Sequence, residues 1–144
     1  MKIDHARLGE LVSSICDGPL TLAEAETIMA VAQLAVDVDG TEDADEIATF
    51  FALGKLLSIL AGSADAATPT FASDEDDDER LHTLAAQLDR TVTRELAFAA
   101  AHIMTLADVA IAREEDAFIY TLRAALSIDE FRAGEIAFAV GNLR

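Results

Sequence analysis

The chain has 144 residues, of which 52% are hydrophobic and only 6% aromatic, with seven glycines and two prolines. This length predicts a single domain, and the alanine-rich composition favours packed helices over a β-sandwich. The 27 acidic and 10 basic residues give a formal net charge of −17, which would repel nucleic-acid phosphates and an anionic membrane surface. We therefore expect no nucleic-acid partner.

The cysteine content and the apolar segments indicate the compartment. Cys16 is the single cysteine, so no internal disulfide can form and a reducing compartment is favoured. The N-terminal residues contain no apolar signal region. The longest apolar stretch, from Ile47 to Ala61, includes Lys55 and is shorter than the roughly 20 residues that a membrane span requires. These features predict a cytoplasmic protein that does not insert into a membrane.

Two helices are predicted before the first acidic segment. Residues Ile3 to Cys16 carry apolar side chains at helical spacing, and the sequence Asp17-Gly18-Pro19 ends this helix. Thr21 and Glu24 form a capping box at the start of a second helix, which is expected to reach about Val36.

The acidic segment from Asp37 to Asp43 is expected to end that helix. A third helix follows as far as about Ala61, where Gly62 stops it. Residues Ser63 to Ser73 form a connection between the two halves of the chain. The acidic run from Asp74 to Glu79 then opens a fourth helix, because negative charge is favoured at a helix N-terminus.

The second half repeats this order of elements. A fifth helix spans about Thr93 to Leu106, a break follows at Asp108 to Ala112, and a sixth helix comes next. Ser127 and Glu130 form another capping box, which predicts a last helix that ends near Gly141.

Two segments of the chain, residues 27–59 and 96–128, match without gaps at an offset of 69 residues. The matched pairs include Ala30 with Ala99, Asp39 with Asp108, Glu46 with Glu115, Leu53 with Leu122, and Leu57-Ser58-Ile59 with Leu126-Ser127-Ile128. Any two helical hairpins would share apolar residues, whereas packing does not require an Asp and a Glu at the same positions in both. The match therefore indicates a duplicated unit.

From these patterns we predict an all-α fold, a single-domain bundle of about seven helices built from two helical hairpins related by a pseudo-twofold axis. The domain covers residues 1–144, with repeat one at about 21–61, repeat two at about 91–128 and the final helix at about 128–141.

The duplicated acids are the candidate functional residues. Seven residues are almost two helical turns, so an Asp before a helix and a Glu just inside it can share one face. If the hairpins pack face to face, four carboxylates converge, those of Asp39, Glu46, Asp108 and Glu115. Clustered carboxylates repel one another unless a cation, bound water or a raised pKa relieves them. Oxygen ligands favour Ca²⁺ or Mg²⁺.

Three alternatives apply to these acids. An EF-hand loop needs Gly at its sixth position and ligands at other set positions. No alignment of the segment from Asp37 to Glu46 with such a loop puts both Gly40 and the ligand residues at the required positions. Each acid could instead cap or flank only its own helix. A small hydrolase could use paired carboxylates, but no nucleophile, base or oxyanion motif accompanies them. We therefore expect a non-enzymatic protein.

The remaining candidate residues are predicted to be structural. His102 lies on the apolar fifth helix, where a hydrogen-bonded interior residue is expected. Cys16 is expected to be a small core residue. The core is also expected to contain the aromatic side chains of Phe50, Phe51, Phe118 and Tyr120.

Three segments of the chain resemble the tellurite-resistance TerB-like family. They are residues 35–47 (AVDVDGTEDADEI), 105–116 (TLADVAIAREED) and 125–131 (ALSIDEF). The resemblance implies an all-helical fold with pseudo-twofold repeats and a metal site formed by the four acids. It also implies a role in bacterial tellurite, stress-response or phage-defence systems, beside membrane-associated partners.

Together these features predict a divalent-cation-binding adaptor that acts with a basic or membrane-associated protein partner. The alternative is an acidic interaction scaffold that binds no metal and docks a basic partner.

Overall fold

The computed structural model describes residues 4–16, 18–39, 44–62, 77–107 and 113–143. Over these residues the chain is all-α, with seven helices and no strand. The helices are α1 (His5–Ile15), α2 (Leu22–Asp39), α3 (Ala44–Leu60), α4 (Asp77–Ala86), α5 (Thr91–Ala107), α6 (Arg113–Ala125) and α7 (Glu130–Gly141). The predicted all-α class is confirmed for this part of the chain, and no helix in it has the length and apolarity to cross a membrane.

The start of α2 has the predicted capping box. The hydroxyl oxygen of Thr21 accepts a hydrogen bond from the backbone N–H of Glu24 at 3.0 Å, and Glu24 Oε1 accepts one from the backbone N–H of Thr21 at 2.9 Å. This reciprocal pair satisfies two donors that the first turn of a helix leaves without partners.

The predicted end of α2 is wrong. The helix continues past Val36 to Asp39, so the first part of the acidic segment is helical. Residues 37–39 contain neither glycine nor proline, and an Asp at a helix C-terminus costs only a few tenths of a kcal/mol. The first residue with a strong preference against helix is Gly40.

The predicted cap of α7 is also wrong. Asp129, and not Ser127, is the N-cap, and its carboxylate accepts a hydrogen bond from the backbone N–H of Arg132 at 3.4 Å. Ser127 has a φ of 56°, a left-handed conformation that places it in the turn before the helix. The sequence rule failed because Ser and Asp are both good N-caps and lie two residues apart.

Helices α2 and α5 form the centre of the bundle and pack against each other more extensively than any other pair of described helices. Both carry fully or almost fully buried alanines, namely Ala25, Ala30, Ala32, Ala35, Ala97, Ala99, Ala100 and Ala101. Small side chains allow two helix axes to approach closely, which explains the extent of this packing.

The other helices flank this central pair. Helices α3 and α6 each pack against both α2 and α5, whereas α1 packs on α3 and α5, and α4 packs on α6 and α2. Helix α7 lies against α5. The backbone N–H of Asp4 donates to the carbonyl of Leu143 at 3.0 Å, so α1 begins beside the end of α7.

Candidate functional site

Three of the four predicted acids lie on described helices. Asp39 is the last residue of α2, Glu46 the third residue of α3 and Glu115 the third residue of α6. The structure describes only the backbone at these three positions, and Asp108 lies outside the described residues. Glu46 and Glu115 occupy the first turn of their helices, where the dipole favours a carboxylate. The meeting of all four carboxylates stays a prediction.

The starts of four helices repeat at the offset of the sequence match. Helices α2 and α5 begin at Leu22 and Thr91, and helices α3 and α6 begin at Ala44 and Arg113. Each of these pairs is 69 residues apart. Both helices of the first hairpin therefore start at the positions that match the starts of the two helices of the second.

An ion pair joins the N-terminal ends of α2 and α5. Arg90, just before α5, donates from Nε to Glu24 Oε2 and from Nη2 to Glu24 Oε1, both at 2.9 Å. Arg90 Nη2 also donates to the carbonyl of Pro19 at 3.2 Å. The hydrogen bonds from Arg90 lower the pKa of the Glu24 carboxyl, which is therefore ionised at neutral pH. A bidentate contact of this kind fixes orientation as well as distance.

A pocket of about 200 Å³ lies between the start of α5, the α6–α7 turn and the first turns of α7. Its lining residues are Thr91, Arg94, Glu95, Leu126, Ser127, Ile128, Asp129 and Arg132. The two arginines and two acids balance in charge. The pocket lies at the N-terminal end of α5, whereas Asp108 follows the C-terminal end, so it is separate from the predicted acidic site.

The charged groups of this pocket are already paired within the fold. Arg132 Nη2 donates to Glu95 Oε1 at 3.0 Å, and this hydrogen bond raises the pKa of the Arg132 guanidinium. Arg94 Nε donates to the carbonyl of Leu88 at 2.8 Å, and the carboxylate of Asp129 caps α7. The volume of the pocket is below the roughly 300 Å³ of typical ligand sites. Its charged side chains are better explained as contacts that hold α7 against α5.

His102 is half-buried on α5, and the hydrogen bonding of its ring differs from the hydrogen-bonded interior residue that the sequence predicts. Its ring stacks on Phe98, with centroids 6.0 Å apart, and Nδ1 has no hydrogen-bond partner in the described structure. Burial lowers the pKa of His102, so the imidazole is neutral at neutral pH. Within the described residues, no group of three His, Cys, Asp or Glu side chains is arranged to hold a metal ion.

Cys16 is buried, which confirms its predicted place in the core. Its Sγ lies 3.3 Å from the carbonyl oxygen of Gly18, close enough for a weak S–H hydrogen bond. A thiol enclosed in this way is a structural residue and has little access to solvent.

Several aromatic side chains lie on the surface, which the sequence did not predict. Phe51 and Tyr120, expected in the core, are 61% and 68% exposed. Phe131 and Phe138 on α7 are each 76% exposed. The signal for α7 was present in its sequence: Ala133, Ile136 and Val140 form one apolar stripe, and the two phenylalanines form another, so one stripe had to face outward.

Comparisons of the chain with models of protein families, with curated proteins and with solved structures give no match. The resemblance to the TerB-like family therefore rests on the three short segments alone and stays a prediction.

Proposed function

We propose that the chain is a non-enzymatic, TerB-like adaptor that binds Ca²⁺ or Mg²⁺ in a bacterial tellurite, stress-response or defence system. The proposed ligands are Asp39, Glu46, Asp108 and Glu115. The observation that carries the proposal is the repetition of helix starts at the same 69-residue offset as the matched acids. That repetition is expected if one hairpin with its own Asp and Glu was duplicated.

The packing of the helices supports a pseudo-twofold relation between the two halves. Exchanging α1 with α4, α2 with α5 and α3 with α6 converts each contact among these six helices into another that is also present. The α1–α3 contact becomes α4–α6, the α1–α5 contact becomes α4–α2, and the α2–α6 contact becomes α5–α3. An axis through the α2–α5 contact accounts for this exchange.

The ion pair between Glu24 and Arg90 supports a common location for the two acidic segments. Because the N-terminal ends of α2 and α5 are joined and the two helices pack extensively, we infer that they run side by side in the same direction. The acidic segments leave from their C-terminal ends. Two carboxylates about 5 Å apart repel by roughly 3 kcal/mol at an effective dielectric of 20, and a divalent cation would offset that cost.

The charge of the chain supports the adaptor role. A net charge of −17 attracts cations and basic protein surfaces. We therefore propose that the adaptor binds a basic or membrane-associated protein partner in the cytoplasm. The pocket beside α7 has its charged groups engaged within the fold.

Thermal unfolding tests the cation site. Ca²⁺ or Mg²⁺ is expected to raise the Tm of the wild-type chain, because a ligand that prefers the folded state stabilises it. The double variant Asp39→Asn with Asp108→Asn should lose this rise. The control, Glu10→Gln with Asp89→Asn, removes the same charge from exposed positions elsewhere and should keep it. An equal response from both double variants would contradict the proposed ligands.

A second candidate function is an acidic interaction scaffold that binds no metal. The exposure of Phe131 and Phe138 specifically favours a protein-docking role. A wild-type chain whose Tm is unchanged by divalent cations, but which forms a salt-sensitive complex with a basic protein, would favour this candidate over the cation-binding adaptor.

A further inference from the structure

The outer face of α3 carries a ridge of large side chains that are in contact with water. Ile47, Phe51 and Ile59 are 44%, 61% and 72% exposed. Lys55, which is also exposed, lies between Phe51 and Ile59 at the same spacing of four residues. Side chains four residues apart form a continuous ridge on the surface of a helix. The ridge therefore runs along most of α3.

A groove of small side chains lies beside this ridge. The next row at the same spacing contains Ala44 and Ala48, which are exposed, and Ala52, which is partly buried. Two helices pack closely when the ridge of each enters the groove of the other, and ridges of this spacing meet at a crossing angle of about 50°. Because α3 has both the ridge and the groove, its outer face is complementary in shape to the same face of a second copy. A twofold contact requires this property.

The order of residues along the ridge is also self-complementary. In an antiparallel twofold contact centred between Phe51 and Lys55, the Phe51 ring of each copy meets the Lys55 ammonium of the other. Ile47 then meets Ile59. A cation over an aromatic face is attracted by the ring, so the one charge in the ridge has a partner at both of its positions in the dimer.

The lysine favours this arrangement over the others. Lys55 forms no ion pair with any other residue that the structure describes. A parallel contact would place the two Lys55 ammonium groups side by side, where they repel. The antiparallel contact separates them and places each on a ring.

We propose that two copies of the chain associate through the outer faces of α3 in an antiparallel twofold dimer, with Ile47, Phe51, Lys55 and Ile59 at the contact. One helix from each copy makes a small interface, so we expect a Kd of about 1–100 μM. Below that range the chain is a monomer. The dimer goes beyond the adaptor function, and none of its four contact residues is a proposed metal ligand.

Analytical ultracentrifugation of the full chain tests the proposal, at concentrations from about 1 to about 300 μM and in EDTA, which removes divalent cations. We expect a monomer–dimer equilibrium within this range. The equilibrium should shift towards the dimer between about 0.05 and about 0.5 M NaCl, because salt screens the repulsion between two copies with a net charge of −17 each. A complex held by charge attraction would instead weaken with salt.

Two variants with matched controls locate the contact. Phe51→Gln should raise the Kd of the dimer at least about tenfold, whereas Phe138→Gln, which removes a similarly exposed ring from α7, should leave it unchanged. Lys55→Gln should raise the Kd about fivefold or more, whereas Lys55→Arg should not, because a guanidinium also binds an aromatic face. Ala124→Glu at the matched, exposed position on α6 changes the net charge as Lys55→Gln does, and should have little effect. Circular dichroism checks that each variant keeps its helices.

Four results would overturn the proposal. The first is a monomer at every concentration, which would leave this face of α3 to a different molecule. The second is a dimer that Phe51→Gln leaves intact or that Phe138→Gln weakens as much. The third is an equal effect of Lys55→Gln and Lys55→Arg, and the fourth is a dimer that NaCl dissociates.

Discussion

The tripeptide Leu-Ser-Ile ends both hairpins but has a different conformation in each. In repeat one, Leu57, Ser58 and Ile59 belong to α3, and Ile59 is 72% exposed. In repeat two, the same three residues follow the end of α6, and Ile128 is only 6% exposed. An identical sequence is therefore helix in one copy and turn in the other.

Residues outside the tripeptide cause this difference. The backbone N–H groups of Ile128 and Ser127 donate to the carbonyls of Arg123 and Ala124, both at 3.1 Å, which is the Schellman arrangement at a helix end. Arg123 Nη1 also donates to the carbonyl of Ile128 at 2.9 Å. The matched residue in repeat one is Gly54, which has no side chain to hold such a turn.

The residue after the tripeptide reinforces the difference. Asp129 caps α7, whereas the matched Leu60 has no side-chain oxygen and is the last residue of α3. Repeat one ends instead at Gly62, whose φ of 70° suits a residue without a Cβ. The two matched segments therefore start their helices at the same offset but end them differently, and the second leads into α7, which packs on α5.

The largest expected effect concerns the matched isoleucines. Ile128→Ala should lower the free energy of unfolding by about 2–4 kcal/mol, because it removes buried apolar contacts and leaves a cavity. Ile59→Ala should change it by less than about 0.5 kcal/mol, because the side chain is mostly in water. Urea unfolding measures both, and equal losses would contradict the difference between the repeats.

A smaller effect of opposite sign is expected at the matched serines. Ser127→Gly should stabilise the fold by about 0.5–1 kcal/mol, because glycine adopts a positive φ without the steric cost of a Cβ. Ser58→Gly should destabilise it by about 1 kcal/mol, because glycine is a poor helix former and the hydrogen bond from Ser58 Oγ to the Gly54 carbonyl is lost. Changes of the same sign at both positions would contradict the two conformations.

The smallest effect is a change of pH dependence at His102, whose matched residue is Gln33. Because burial lowers the pKa of His102 below about 6.5, the unfolded chain protonates this residue first as the pH falls. The contribution of His102 to stability should therefore fall from pH 7.5 to 5.5, so the wild type should lose more stability, or gain less, than His102→Gln over this range. Urea midpoints measured across this range give the change of stability with pH for each protein. Equal changes in the wild type and in His102→Gln would show that His102 does not contribute to the pH dependence.

Features governed by local hydrogen bonding were predictable from the sequence. The Thr21–Glu24 capping box and the helix-ending role of Gly62 follow from short-range rules, and both are present. The left-handed Ser127 was not predictable, because the same Leu-Ser-Ile is helical elsewhere in the chain. Its conformation depends on the Arg123 guanidinium and on the capping of α7, which compete with continuation of the helix.

Tertiary features were less accessible from the pattern. The exposure of Phe51, Tyr120, Phe131 and Phe138 was missed because a hydrophobic side chain indicates burial only on average. For the acids, the 69-residue match predicts the same place in the helix for Glu46 and Glu115, and each is the third residue of its helix. Whether they meet depends on how the two hairpins pack, which no local rule determines.

The most direct test of the duplicated acidic site is a crystal structure of the chain soaked in Mn²⁺, which shares the oxygen-ligand preference of Mg²⁺ and scatters anomalously. We expect one anomalous peak held by carboxylates of both matched segments, Asp39 and Glu46 from one and Asp108 and Glu115 from the other. Acidic segments at opposite ends of the bundle, or a peak bound only by residues outside these four, would contradict it.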